Sequence, residues 1–380
     1  MFVSSPLFWN NLQLAILKMF WCYFVGAYWA LGAGLLEMAW RKSAKLRVED
    51  KARDQKYPAF SRTDVYRLKK WKLYLGALTI MPIRFAIALA NYIVCFILLS
   101  IGMFGYDIEK QGEMTRFQSF FSKLIIGWIG TFQCFMAGVT VELREVNFDY
   151  SKWLGPKYET KEKCGTYIAN HVGFLDPDCM LWALKGNVTF AAAEFTKNLP
   201  VYGKFIAWQN GDFVKRGDEK ATLQTINKWT ERADKIEKGE SEKRPLLIFP
   251  DSYHNNGTHI CDFKKGVFYN LRSVRPFVLD YQSTHIMPTT VALAEFSLMI
   301  LLWCSVAPVR CVVYMMPVFT PNEHLFAQHP GKEKWEVYRQ AVREAMSECS
   351  GFPLNDHKFA DIQAYWDMVG YKKLWQKKKQ

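Results

Sequence analysis

Three apolar stretches without a charged residue fall within the first 143 positions: 19–36, 85–106 and 124–141, of 18, 22 and 18 residues. A helix needs roughly 20 apolar residues to cross a ~30 Å hydrocarbon core. No other feature narrows the possible folds as much. The first run lacks a basic leader and a small-residue cleavage site, so it is expected to be an anchor and not a cleaved signal. The second is the best candidate for a span. The first carries Gly26, Gly32 and Gly34, and the third Gly127, Gly130 and Gly138. Such runs can span, re-enter, or lie buried against the others. Half of the 380 residues are hydrophobic, yet the mean hydropathy is only −0.10. The apolar residues are therefore concentrated in part of the chain, which excludes a polytopic transporter. Fourteen tryptophans suit a protein at a bilayer interface.

The formal net charge is +13. Anionic headgroups and phosphorylated small molecules are the expected partners. No basic strip with interleaved aromatics marks a nucleic-acid fold, so nucleic acid is not expected. Between the first two apolar runs, residues 41–72 hold 12 Lys and Arg against Glu49, Asp50, Asp54 and Asp64, a surplus of eight. Such a loop stays on the cytoplasmic side or presses on anionic headgroups. A solvated basic linker is the plainer alternative. The nine cysteines show no C-x-x-C and no zinc spacing, so reduced thiols and no metal are expected.

From about Tyr150 the pattern changes. Short β-type runs at 166–169, 189–192, 246–249, 276–279 and 311–315 alternate with helical ones at 177–184, 219–237 and 332–348. That alternation predicts an α/β domain with a mostly parallel sheet. The run 296–309 is too short for a confident span and is expected to lie on the bilayer or in the core.

The strongest local feature is IANHVGFLDPD, residues 168–178. A strand ends at Ala169, and a helix begins near Pro177, since proline is favoured in a first helical turn. His171 and Asp176 then share a loop at the carboxyl end of a strand, where α/β sheets place their active sites. Asp176 can fold back and accept a hydrogen bond from one imidazole nitrogen. That fixes the tautomer and leaves the other nitrogen to take a proton. On these residues alone, Asp176 as a plain helix cap beside an ordinary loop histidine is the competing reading.

On Asn170, His171 and Asp176 the chain resembles the glycerophospholipid acyltransferase family, whose signature is N-H-x-x-x-x-D. GDFVKR (Gly211, Phe213, Arg216) resembles the family's second block, G-x-F/I-x-x-R. AAEFTKNLPVYGKF leads into it, with Glu194, Pro200 and Gly203 in place. The third block, F-P-E-G-T-R followed by F-K-x-G, is similar to FPDSYHNNGTHICDFKKGVF. There Phe249, Pro250, Phe263, Lys264 and Gly266 match, while Asp251, Ser252 and Tyr253 replace the E-G-T core. VRPFVLDY, YMMPVFTP and LTIMPIRFAIAL resemble further family segments, so the likeness runs over roughly residues 70–350.

The resemblance implies direct acyl transfer from acyl-CoA to a lysophospholipid or a glycerol phosphate. His171, oriented by Asp176, would be the general base, and Arg216 would hold the acceptor phosphate. Asn170, Gly211, Phe213, Pro250, Asp251 and Lys264 complete the expected substrate-binding set. Acyl-CoA enters as co-substrate, and no tightly bound cofactor is expected. In organisation, 1–143 is expected to be a membrane anchor, 144–350 the acyltransferase domain and 351–380 a basic tail. Lys377 and Lys378 resemble a dilysine retrieval signal, which ranks the endoplasmic reticulum ahead of a mitochondrial membrane. The altered third block supports a rival expectation, a lipid-binding structural subunit of a membrane complex whose partner holds the tail.

Overall fold

The computed structural model describes residues 6–107, 114–199, 201–215, 219–241, 243–251 and 253–371. Seven strands form one sheet: β1 (Val139–Glu145), β2 (Thr166–Ala169), β3 (Thr189–Ala193), β4 (Asp212–Val214), β5 (Leu246–Ile248), β6 (Arg275–Ser283) and β7 (Val309–Met315). Their order is β1-β7-β6-β2-β5-β3-β4. Every neighbouring pair is parallel except β6 and β7. The expected mostly parallel α/β sheet is present.

The sheet is covered on both faces. One apolar core lies between the sheet and the N-terminal helices. The other joins it to the helix Lys334–Ser350 through Val337, Tyr338, Ala341 and Val342. β2 reads Thr-Tyr-Ile-Ala with almost no exposure, as a central strand covered on both sides requires.

The first apolar run lies inside the helix Pro6–Lys42, and the second fills most of Met81–Gly102 and runs on four residues past its end. Among the described residues, Gln13–Lys42 and Met81–Gly102 are long and apolar enough to cross a membrane. Both turn large apolar side chains outward: Phe20, Trp21, Phe24 and Trp29 from the first, Ile83, Ile93 and Ile97 from the second. The third run divides. Its helix, Arg116–Met136, starts at a capping box of Thr115 and Gln118 and ends before β1 begins at Val139. Ile125, Ile126 and Ile129 of this helix are buried, while Phe117, Phe120 and Trp128 remain exposed. The boundary expected at 143/144 therefore falls inside a strand of the sheet, because a helix and a strand abut within one uncharged run.

Most of the run 296–309 is core, with Phe296 and Val306 exposed. Its helix, Glu295–Cys304, is buried between the N-terminal helix and the helix Lys70–Thr79. Arg84 donates to the carbonyl of Trp303 at its carboxyl end (3.1 Å). The contact is too close for side chains. A Cβ at Gly76 would overlap the carbonyl oxygen of Cys304, and one at Gly32 the carbonyl oxygen of Ala77. Gly76→Val should therefore cost about 1–3 kcal/mol by overpacking. Thermal unfolding in detergent would check this, with an unpacked control such as Gly34→Ala, where a Cβ meets nothing within 4 Å.

The basic loop is more than a linker. Arg62 is buried, pairs with Asp64 (2.9 Å) and donates to the carbonyl of Met287 (2.9 Å). Asn256 donates to the carbonyls of Pro58 (2.6 Å) and Ser61 (2.9 Å). The expected tail is also partly folded. Residues 351–371 include the helix Phe359–Met368, whose Ile362, Tyr365 and Trp366 are buried. Lys377 and Lys378 lie outside the described residues.

Candidate active site

β2 ends at Ala169, and the chain turns through Asn170–Leu175 into the helix Asp176–Ala183. Asn170 secures the turn. Its amide nitrogen donates to the carbonyl of Leu279 (3.0 Å), and its oxygen accepts from that residue's N–H (2.8 Å). It is fully buried. Both ends of its amide are spent on β6, so Asn170 shapes the loop and does not touch a substrate.

Asp176 is fully buried and accepts four hydrogen bonds. Its Oδ2 takes the N–H of Val172 (2.6 Å), the N–H of Gly173 (3.0 Å) and His171 Nδ1 (2.7 Å). Its Oδ1 takes the hydroxyl of Tyr281 on β6 (2.8 Å). A carboxylate so surrounded by donors places the imidazole proton on Nδ1. The Nε2 lone pair of His171 is then free, and no described residue hydrogen-bonds to it. The imidazole stacks on Phe249 (centroids 4.1 Å apart, planes at 12°) and meets the ring of His254 edge-on (4.2 Å, 77°). With 18% of its side chain exposed, His171 is open to a substrate and otherwise held.

The altered third block grips the same histidine. Asp251 Oδ2 accepts the backbone N–H of His171 (2.9 Å) and the side-chain amide of Asn255 (3.2 Å). The N–H of Asn255 in turn donates to the carbonyl of His171 (2.8 Å). Asp251 and Asn255 thus clamp both sides of one residue. Burial pushes the Asp251 carboxyl well above the usual carboxylate range; the His171 N–H opposes this, and the nearby charge of Asp176 adds to it. A folded-state pKa above the unfolded value means that the folded protein binds more protons. This contribution is present below the unfolded value of about 4 and is lost as pH rises toward the raised folded one. Asp251→Asn should therefore gain stability relative to the parent as pH rises from 5 to 8. Parallel thermal melts at the two pH values would reveal it.

The other expected site residues are dispersed. Pro250 is buried, and its carbonyl accepts the N–H of Lys264 (2.7 Å), so it fastens a loop and does not face a ligand. Lys264 is exposed and lines a cleft with Asp251 and Tyr253. Gly211 and Phe213 belong to the edge of the sheet at β4, three strand spacings from β2, or about 14 Å. Gly211 is buried, and a Cβ there would crowd Ile206 and the carbonyl of Phe190. Its part is close packing, not contact with the histidine. Arg216 lies outside the described residues, as do Pro200 and Ser252. Tyr281, His254 and Asn255 were not singled out from the sequence. His254 and Asn255 lie in the divergent third block, and Tyr281 closes the VRPFVLDY segment. Only the fold brings them to the loop.

Residues 155–292, the stretch that carries this geometry, match the family model described as Acyltransferase. Over that stretch the chain is similar to acyltransferases. It is 25% identical over 294 residues to "Lysophosphatidylcholine acyltransferase" of Drosophila melanogaster, covering 77% of this chain and 51% of that one. It is 24% identical over 303 residues to "Lysophosphatidylcholine acyltransferase 1" of Homo sapiens, covering 78% and 52%. "Lysophospholipid acyltransferase LPEAT1" of Arabidopsis thaliana is 22% identical over 359 residues, covering 82% and 86%. The chain thus spans about half the length of the first two relatives. The crystal structure of the 1-acyl-sn-glycerophosphate (LPA) acyltransferase PlsC from Thermotoga maritima superposes with a TM-score of 0.38 at 14% identity, over 69% of this chain and 97% of that one. Asn170, His171 and Asp176 all lie within the matched stretch 155–292.

Proposed function

We propose that the chain transfers a fatty acyl group from acyl-CoA to the free hydroxyl of a lysophospholipid. The observation that carries this reading is His171, held by Asp176 on one nitrogen and open on the other. Nε2 of His171 takes the proton of the acceptor hydroxyl as its oxygen attacks the thioester carbonyl. The tetrahedral intermediate collapses with cleavage of the C–S bond. The imidazolium returns the proton to the departing sulfur, so the products are a diacyl phospholipid and free CoA. Asp176 stabilises the imidazolium between the two proton transfers. No acyl-enzyme, metal or resident cofactor is invoked.

The membrane-facing helices support an acceptor delivered laterally from the bilayer. The N-terminal helix and Met81–Gly102 pack against the same domain that holds His171. Arg216 is assigned to the acceptor phosphate on the family's second block. The structural-subunit reading rests on the altered third block, yet that block holds His171 at both its N–H and its C=O. Such a clamp favours turnover.

The test is transfer from labelled acyl-CoA to lysophosphatidylcholine, lysophosphatidate and glycerol 3-phosphate. Acylation of a lysophospholipid is expected. Folded protein that acylates none of them would sink the proposal in favour of the structural subunit.

A further inference from the structure

Residues 284–294 join β6 to the helix Glu295–Cys304 without forming a helix or strand, yet Pro288–Leu293 are buried. Backbone groups buried outside a ladder need partners from elsewhere. The basic linker between the two long apolar helices supplies them. Arg62 donates to the carbonyls of Thr289 and Met287, the latter at 2.9 Å. Asp64 accepts the N–H of Met287 (3.0 Å) and pairs with Arg62 (2.9 Å). The same linker holds Asn256. Its N–H donates to the carbonyl of Ala59 (2.8 Å), and its amide to those of Pro58 (2.6 Å) and Ser61 (2.9 Å).

These two segments frame the histidine turn. Asn255, next to Asn256, donates its N–H to the carbonyl of His171 (2.8 Å). The carbonyl of Asn255 accepts the hydroxyl of Thr289 (2.6 Å). The N–H of Thr290 donates to the carbonyl of Val172 (3.3 Å). A Cβ at Gly173 would overlap the carbonyl oxygen of Pro288. The linker therefore grips the two segments that in turn hold His171, Val172 and Gly173. Only arginine suits the position. Its planar fork reaches two carbonyls and a carboxylate at once, where a lysine offers a single nitrogen.

We propose, resting on the acyl-transfer reading, that Arg62 is a positioning residue for the His171 base. Its guanidinium, braced by Asp64, fixes residues 287–290 against the turn. Alignment of the base then depends on the seating of the linker between the two apolar helices.

The test uses full-length protein in detergent, well below the melting temperature of each variant. The substrates are acyl-CoA and whichever of lysophosphatidylcholine and lysophosphatidate the parent acylates faster. Arg62→Ala is expected to lower kcat about 30-fold, within the roughly 10²-fold that a misplaced reacting group costs, with KM for both substrates within about twofold. Arg62→Lys keeps the charge and one donor, and should recover kcat to within about fivefold of the parent. Arg53→Ala is the control for a merely structural loss. Arg53 is also buried in the linker, but its side-chain hydrogen bonds go to Val48, Asp54 and Tyr66. This variant should lose stability and keep kcat. Hydrogen–deuterium exchange over residues 168–178 gives a readout besides activity. It should quicken by about tenfold in Arg62→Ala and stay at the parental rate in Arg53→Ala. If Arg62→Ala does not fold, Asn256→Ala takes its place. It removes only the amide bonds to Pro58 and Ser61, so kcat should fall by about fivefold. Unchanged kcat and exchange in the folded variant, or equal losses in the Arg53→Ala control, overturn the positioning role and leave acyl transfer standing. Parent protein that transfers to no acceptor removes the acyl-transfer reading, and with it a part for Arg62 in catalysis.

Discussion

His171→Ala should lower acyl transfer by about three orders of magnitude while leaving the fold intact. General-base catalysis contributes roughly 10²–10⁴-fold. Structurally the loss is small. The ring makes one side-chain hydrogen bond, to Asp176, and packs on Phe249 and His254. The loop itself is held through backbone groups: the N–H and C=O of His171 by Asp251 and Asn255, and the N–H groups of Val172 and Gly173 by Asp176. Unfolding in detergent should move by no more than about 1 kcal/mol. A variant that unfolded would show that the ring, and not the backbone clamp, holds this loop.

Asp176→Ala should behave differently, losing activity and stability together. It strips the acceptor from two buried backbone N–H groups, the Tyr281 hydroxyl and the imidazole at once. Donors left unsatisfied in a buried site cost about 3–5 kcal/mol in sum. Asp176→Asn separates the two roles. The amide fits the space but carries no charge to steady an imidazolium, so the rate should fall by about 10²-fold or more with a smaller loss of stability. Tyr281→Phe removes a single donor and should reduce stability by about 1 kcal/mol, with only a modest effect on rate. If Asp176→Ala left the melting temperature unchanged, the four-bond arrangement around that carboxylate would be wrong.

How much of this was legible in the sequence follows from what each feature depends on. β2 and the helix Glu219–Glu237 fall where the pattern puts them, because each is a clean run bounded by polar or turn residues. β1 was hidden. Val139–Glu145 follows the helix Arg116–Met136 after only Ala137 and Gly138, so an uncharged stretch read as one run contains two elements. β4 is three residues long, too short for any period to show. The helix Phe359–Met368 did carry a signal in Phe359, Ile362, Tyr365 and Trp366 at helical spacing, overshadowed by the lysines that follow it.

The site divides along the same line. His171 and Asp176 are five residues apart across a strand-to-helix turn, and a contact that local is written in the spacing. Tyr281 reaches Asp176 from 105 positions away, and Asp251 reaches His171 from 80. Neither distance leaves a local trace. Family resemblance pointed Asp251 toward the acceptor. In the fold one oxygen of that carboxylate holds the histidine backbone and Asn255, and the other is buried.

The most direct measurement follows acyl-CoA and acceptor together, recording free CoA thiol and new phospholipid in the same reaction with the parent protein and with His171→Ala. The account predicts that thiol and phospholipid appear one for one, only when a lysophospholipid is present, and that both vanish in the variant. Thiol release that ignores the acceptor, or transfer that survives the loss of His171, would contradict it.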